Sequence, residues 1–187
     1  MAAVTPVFPA AVSIPLTHPL SGKVYTLARA DVLEGTHDEV ADLIAACNEP
    51  LIYEWLFRER LEGQPYTEAQ AASFFDWMRS GWRGNAYFVF ALLSPCGRLV
   101  GLLDIKSADL NSAEVGYWLS SRHRGLMGVA LEALATLARD AGCRLLYARI
   151  RPGNGRSQAV VQRAGWVNTG LEAEGSHLRF VRQLVSA

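Results

Sequence analysis

The residues best suited to do chemistry in this sequence lie between positions 113 and 165. A strand-like segment, AEVGYWL, leads into a turn that contains Arg122, Arg124 and Gly125, and a helix-like segment follows. A helix N-terminus carries unpaired N–H groups and about half a positive charge, and a glycine lets the backbone approach a pyrophosphate closely. The arginines can add charge-assisted hydrogen bonds. The turn is therefore a candidate phosphate site, although an ordinary loop with solvated arginines fits the same residues.

A second candidate is the segment RPGNGRS at positions 151–157. Pro152 and Gly153 end the preceding strand, and Asn154 is a good N-cap for the helix that follows. Ser157 falls in the first turn of that helix, where its hydroxyl can reach whatever lies between the two neighbouring strands. The alternative is that Asn154 only caps the helix and Ser157 only satisfies nearby backbone groups.

Glu114 is the candidate general base. Strand alternation places Glu114, Gly116 and Trp118 on one face of AEVGYWL, opposite Tyr117. A carboxylate there lies either at a wet sheet edge or in a cavity, where its pKa would rise and it could accept a proton. Asp104, in the preceding strand, presents the same two alternatives.

The elements that must position these residues follow from hydrophobic periodicity and capping signals. Helices are predicted at 36–47, 51–61, 67–82, 126–141 and 155–164, and strands at 23–30, 86–93, 98–106, 113–119, 145–151, 166–171 and 176–185. This order predicts an α+β fold with one parallel crossover, from 113–119 through 126–141 to 145–151, which should be right-handed.

Composition limits the classes of function. The 187 residues suffice for one domain with a sizeable core. A formal net charge of zero and the lack of a basic stripe argue against nucleic acid, and no apolar run approaches the ~20 residues of a membrane span. Three widely spaced cysteines indicate no metal site and fit a reducing cytoplasmic compartment. Residues 1–22, rich in proline, are interpreted as an N-terminal strap or tail.

Three segments together resemble the GNAT N-acetyltransferase superfamily, and its RimJ/RimL-like branch in particular. They are AEVGYWL, the turn RHRGLM with its helix, and the pattern RPxNxRSxxVxxxAGW. The resemblance spans positions 23–185 and is strongest from 99 to 166. It implies a GNAT fold at 23–187, with a mixed, mostly antiparallel central sheet of about seven strands, flanking helices and a splayed parallel strand pair.

The resemblance also implies a reaction, in which an acetyl group passes from acetyl-CoA to an amine by direct attack of the deprotonated amine on the thioester. The amine would be a protein N-terminus or a small molecule, no metal is expected, and a homodimer is left open. Ser157 would lie near the sulfur as general acid, and Glu114 or a water chain would supply the base. The residues that the resemblance assigns to acetyl-CoA are Trp118, Leu119, Arg122, Arg124, Gly125, Leu126, Met127, Gly128, Asn154 and Ser157.

The turn departs from the usual pattern of the family. Met127 stands where a small residue is common, and Gly128 comes one position late. The side chain of Met127 either crowds the phosphates or points inward as the first core residue of the helix. A non-catalytic binding module that has lost tight acetyl-CoA binding is therefore the alternative to the enzyme.

Overall fold

One eight-stranded mixed sheet organises the fold, in the order β1-β2-β3-β4-β5-β6-β8-β7. The computed structural model describes residues 5–184. The strands are β1 (Ser13–Thr17), β2 (Val24–Arg29), β3 (Phe88–Leu93), β4 (Leu99–Ile105), β5 (Ala113–Leu119), β6 (Leu145–Ile150), β7 (Val167–Leu171) and β8 (Leu178–Gln183). The α-helices are α1 (His37–Cys47), α2 (Pro50–Ile52), α3 (Glu68–Gly84), α4 (Leu126–Asp140) and α5 (Gly155–Arg163).

The predicted α+β fold with a parallel crossover is confirmed. Strands β5 and β6 are parallel, and α4 connects them, whereas the other neighbouring strands are antiparallel. The sheet has eight strands instead of about seven because the segment interpreted as a strap or tail contains β1. A domain boundary at residue 22 stays a prediction. Residues 1–4 and the predicted end of the last strand at Val185 lie outside the described part of the chain.

Strand β1 was not predicted from the sequence, because Pro15 interrupts the pattern that is typical of a strand. Proline is tolerated at the edge of a sheet, where its missing N–H leaves no ladder bond unmade. Pro15 pairs with Thr26 of β2 on such an edge, and the following Leu16 is buried.

The capping signals gave the correct helix starts. Thr36 Oγ1 accepts from Glu39 N at the start of α1, and Glu39 reciprocates as a capping box. Thr67 precedes α3, where Gln70 Oε1 accepts from Thr67 N at 2.9 Å. The helix predicted at 51–61 is shorter: α2 continues into one π-helical turn, Tyr53–Phe57.

Buried side chains form two clusters, one on each face of the sheet. One packs under α4 and α5, and the other under α1 and α3. Alternate residues of β3 serve the two faces, with Phe90 in the first cluster and Val89 in the second. None of the helices described between residues 5 and 184 is long and apolar enough to cross a membrane.

Candidate active site

A cleft opens where β5 and β6 separate. Their register holds only for Ala113 with Leu146 and for Glu114 with Tyr147, although β5 continues to Leu119. A cavity of about 900 Å³ lies in this opening, bordered by β5, β6, α2 and the N-termini of α4 and α5. Its volume is typical of small-molecule sites. The predicted splayed strand pair is thus confirmed, and this cavity lies in its opening.

The free edge of β5 offers backbone groups to this cleft. Glu114 O accepts a hydrogen bond from β4 at 2.9 Å, and Ser120 N donates one to β4 at 2.9 Å. Because backbone groups alternate between the two sides of a strand, even-numbered residues of β5 face β4 and odd-numbered ones face the opening. The N–H and C=O of Leu119 therefore point into the cleft, whereas those of Trp118 point toward β4. Both residues border the cleft.

Ser157 is held in the cleft by a residue that the sequence did not single out. Tyr117, on β5, lies with its Oη 2.5 Å from Ser157 Oγ and 3.1 Å from Ser157 O. Burial raises the pKa of Tyr117 to about 12, and the hydrogen bond with Ser157 only partly opposes this. The phenol is therefore a protonated hydrogen-bonding group throughout the neutral range.

The start of α5 shows the contacts that Asn154 and Ser157 make within the protein. Asn154 Oδ1 accepts from Ser157 N at 3.1 Å, so Asn154 is the N-cap that its position predicted. The hydroxyl of Ser157 does not merely satisfy nearby backbone, because its partner is Tyr117 on another element. Both Asn154 and Ser157 border the cleft.

The turn before α4 has the geometry of an anion site. Gly125 is the N-cap residue with a φ of 105°, and no side chain caps the helix, so backbone N–H groups of its first turn stay available. Met127 is buried among core residues, whereas a Cβ built on Gly128 would meet open space. The inward alternative for Met127 is therefore correct: its side chain belongs to the core, although the residue also borders the cleft.

The arginines and Leu126 of this turn take different positions. Arg124 is exposed and lines the cleft. Arg122 is exposed too, but it lies outside the set of residues that border the cavity. The side chain of Leu126 is fully buried, so only its backbone can face a ligand.

Glu49, just before α2, connects the α2 side of the cleft to the turn that precedes α4. Its carboxylate accepts from Ser120 Oγ at 2.6 Å and from Ser121 N at 2.8 Å. Partial burial by itself would raise the pKa of this carboxyl, but the hydrogen bonds from Ser120 and Ser121 outweigh it, so the pKa of Glu49 is lowered. This contact could not be predicted from a local motif, because the partners are more than 70 positions apart in the sequence.

Glu114 borders the cleft, where it forms an ion pair with Lys106. Its Oε1 is 2.5 Å from Lys106 Nζ, and 20% of its side chain is exposed. Beneath it, Asp104 Oδ1 accepts from Gly116 N at 2.6 Å. Burial raises the pKa of Asp104, while Lys106 and the Gly116 N–H oppose the rise. The sequence placed Asp104 either at a wet sheet edge or in a cavity, and its raised pKa fits the buried alternative.

The cleft has a local excess of positive charge although the chain is neutral overall. Its basic residues are Lys106, Arg124, Arg149, Arg151, Arg156 and Arg163. Lys106, Arg149 and Arg151 form ion pairs with glutamates. Among residues 5–184, no carboxylate pairs with the other three. The cleft therefore suits an anionic ligand.

The described part of the chain contains no cluster of metal-binding side chains. No group of three or more His, Cys, Asp or Glu side chains there could hold a metal ion.

Comparison with known proteins identifies the class. The model of a family described as "Acetyltransferase (GNAT) domain" matches residues 33–167, and the chain therefore belongs to this family. No curated protein sequence matches the chain.

Solved structures with the same fold include several acetyltransferases. RimJ of Mycobacterium smegmatis, in complex with CoA-disulfide, is 23% identical, covers 96% of this chain and 90% of its own, and has a TM-score of 0.73. A Salmonella typhimurium acetyltransferase that modifies the N-terminal serine of ribosomal protein L7/L12 is 18% identical, with 89% and 98% coverage and a TM-score of 0.69. Spermidine N-acetyltransferase from Vibrio cholerae, with CoA and spermine, is 16% identical, with 86% and 95% coverage and a TM-score of 0.66. At these identities the likeness establishes the fold.

Proposed function

We propose that this protein transfers the acetyl group of acetyl-CoA to an amine, by direct attack of the amine on the thioester. The observation that carries the proposal is the placement of Ser157, bound to Tyr117, in the opening between β5 and β6. Similar folds were solved with CoA-disulfide in M. smegmatis RimJ and with CoA in the V. cholerae spermidine enzyme, which supports the choice of donor.

The cleft residues fit the donor. The backbone of Leu119, beside the Trp118 side chain, suits the amide groups of the pantetheine arm. The backbone N–H groups of Gly125, Leu126, Met127 and Gly128 suit a pyrophosphate, and Arg124 adds a cation without a described carboxylate partner. Arg122 is exposed, directly precedes His123 in the turn, and remains a predicted contact of the donor. Asn154 borders the same cleft close to Ser157.

Acetyl-CoA, when bound, supplies an acetyl group activated as a thioester. Tyr117 can donate its proton to Ser157 Oγ, which leaves the Ser157 proton free to pass to the departing sulfur. Glu114 Oε1 is occupied by Lys106, while Oε2 has no partner among residues 5–184, so Oε2 is the atom that would receive a proton from the amine. Trp55 and Leu56 line the helical side of the cleft, where an acceptor would enter.

The acceptor is proposed at the level of its chemical class. Acetyltransferases of this fold act on a ribosomal protein N-terminus and on spermidine by their names, so both peptide and small-molecule amines suit the proposal. We place the reaction in the cytoplasm, because Cys47, Cys96 and Cys143 are free thiols that a reducing compartment would maintain.

Ligand-induced stabilisation tests donor binding. At 100 times its Kd, acetyl-CoA should add about 2.7 kcal/mol to the free energy of unfolding and raise Tm by roughly 5–10 °C. Dephosphorylated pantetheine at the same concentration serves as the control for the phosphate site. The absence of a shift at millimolar acetyl-CoA would refute the enzyme, and a shift without turnover on any amine would favour the non-catalytic module.

Substitution of Ser157 tests its role in the reaction. Ser157→Ala should lower kcat by about 100-fold while the Kd for CoA stays within about twofold, because a general acid acts in the chemical step. Ser73→Ala, on the exposed face of α3, is the matched control and should leave both unchanged. An equal loss of kcat and of affinity would remove the general-acid role.

A further inference from the structure

The hairpin of β1 and β2 reaches under the turn that precedes α4. His18 follows β1 and is only 7% exposed. Its Nδ1 accepts hydrogen bonds from Leu20 N and Ser21 N, each at 3.2 Å. A nitrogen that accepts two N–H groups carries no proton, so the ring proton of His18 resides on Nε2.

The protonated nitrogen points at the turn. His18 Nε2 lies 2.9 Å from Arg124 O, and with the ring proton assigned to Nε2 this atom donates to that carbonyl. The described chain has no cis peptide bond, so the C=O of Arg124 and the N–H of Gly125 point in opposite directions. A carbonyl fixed toward His18 therefore turns the Gly125 N–H away from the hairpin. That N–H has no hydrogen-bond partner among residues 5–184, and Gly125 borders the cleft.

The backbone conformation explains why position 125 is glycine. Its φ of 105° lies in the left-handed region, which side chains disfavour. A Cβ built there would lie 3.4 Å from both Cε1 and Nε2 of His18, an ordinary van der Waals contact, so the part played by His18 is its hydrogen bond to Arg124 O. The peptide between Arg124 and Gly125 is thus defined by two constraints, one from its own backbone and one from His18.

A second contact from the hairpin steadies the turn beside the first. Tyr25, on β2, is buried, and its Oη lies 2.8 Å from His123 Nδ1. The rings of Tyr25 and His123 pack edge to face at 5.5 Å. The turn therefore rests on the hairpin at two successive positions, which leaves little freedom for the peptide that follows.

We propose that His18 is a positioning residue for the pyrophosphate of CoA: it orients the Arg124–Gly125 peptide so that the Gly125 N–H faces the ligand. The inference rests on the proposed function, since it concerns the affinity for the donor. It assigns a part in the site to a segment that the sequence marked only as a strap or tail.

Two substitutions of similar size separate this role from local folding of the hairpin. In His18→Asn, the amide oxygen can replace Nδ1 as acceptor for Leu20 N and Ser21 N, but the side chain is too short to reach Arg124 O. In His18→Gln, the longer side chain can place an N–H near the position of Nε2. We expect His18→Asn to raise the Kd for CoA about tenfold, the scale of one charge-assisted hydrogen bond. His18→Gln should recover most of this affinity, and kcat at saturating acetyl-CoA should change little in either variant.

Isothermal titration with CoA and NMR of the unmodified protein provide the readouts. The imidazole ¹⁵N shifts of His18 should show the Nε2–H tautomer, and the Gly125 amide resonance should move when CoA is added. If the unmodified protein does not bind CoA, the proposed function fails together with this role. If it binds CoA but His18→Asn binds equally well, or if the Gly125 amide does not respond, only the role of His18 is overturned.

Discussion

Tyr117 and Ser157 form the contact on which the chemistry of the cleft depends. They come from different elements, β5 and the first turn of α5, and they meet because the sheet opens between β5 and β6. A hydroxyl held by a buried phenol has a defined orientation, which a serine on an exposed helix start would lack. The pair is therefore a suitable target for the change of a single atom.

Removal of the phenol oxygen of Tyr117 should affect kcat but not the affinity for CoA. We expect Tyr117→Phe to lower kcat by about tenfold, because Ser157 Oγ loses the group that orients it, and to leave the Kd for CoA within about twofold. Steady-state kinetics with titration calorimetry checks this. Since the pKa of Tyr117 is about 12, the rate of the unmodified enzyme should show no alkaline decline due to Tyr117 below about pH 10. An unchanged kcat in Tyr117→Phe would contradict the role.

Asp104 should make stability depend on pH. Its pKa is raised in the folded protein, so its contribution to stability is fully present below its unfolded pKa and is lost as the pH rises through its folded pKa. Asn at this position keeps an oxygen for Gly116 N but carries no charge. We expect Asp104→Asn to gain stability relative to the unmodified protein as pH rises from 3 to 7, measured by urea unfolding. A difference that stays constant over this range would show that Asp104 is not penalised when it ionises.

Strand β5 is the element that joins both halves of the site. One edge pairs with β4 from Val115 to Leu119, while the other edge pairs with β6 at only two positions. Its two faces carry different chemistry: Glu114 and Trp118 face the side of α1 and α2, and Tyr117 faces the side of α5. The close approach of β4 and β5 at Gly116 holds this arrangement.

Gly116 should be intolerant of a side chain. A Cβ there would lie 2.4 Å from Asp104 Oδ1 and 3.1 Å from Lys106 Cε, so Gly116→Ala should cost about 1–3 kcal/mol of stability. Gly128→Ala is the control, because no atom lies within 4 Å of its added Cβ and alanine favours a helix by about 0.5–1 kcal/mol. Chemical denaturation measures both.

A double-mutant cycle identifies the cause of the cost. If the clash with Asp104 is responsible, Gly116→Ala should become less costly in an Asp104→Ala background. Additive losses would mean that the strain lies elsewhere in β5.

The whole molecule depends on two cores that share one sheet. Phe180, on β8, is fully buried in the cluster under α4 and α5, far along the chain from the strands that form the cleft. This cluster also contains Leu126 and Met127, the first residues of α4. Stability of this core and geometry of the anion site are thus linked through the helix start.

Truncation of Phe180 should therefore be costly for the molecule as a unit. We expect Phe180→Ala to lower the free energy of unfolding by about 3–5 kcal/mol. Val167→Ala, on the adjacent strand at 63% exposure, should stay within about 0.5 kcal/mol. Urea unfolding with and without CoA measures both. A loss below 1 kcal/mol for Phe180→Ala would show that this cluster contributes little to global stability.

The sequence by itself determined the local features of this protein. Helix starts at Thr36 and Thr67, the hairpin of β3 and β4, and the cap at Asn154 followed from residue type and spacing, because capping and alternation act over a few positions. The resemblance to a known family then named the fold and the reaction, and it added residues such as Trp118 and Leu119 to the candidate site. The position of Met127 in the first turn of α4 left two alternatives for the orientation of its side chain.

Only the tertiary structure decided which distant residues meet. The partners of Ser157, Arg124 and Glu49 lie 40, 106 and 71 positions away, and no local pattern links them. β1 was hidden because Pro15 breaks the strand pattern, and it became a strand only through pairing with β2. Steric and hydrogen-bonding effects between neighbouring residues can be predicted from the local sequence. The cleft, the inward orientation of the Met127 side chain and the hydrogen bond from His18 form only when separate segments pack on one sheet.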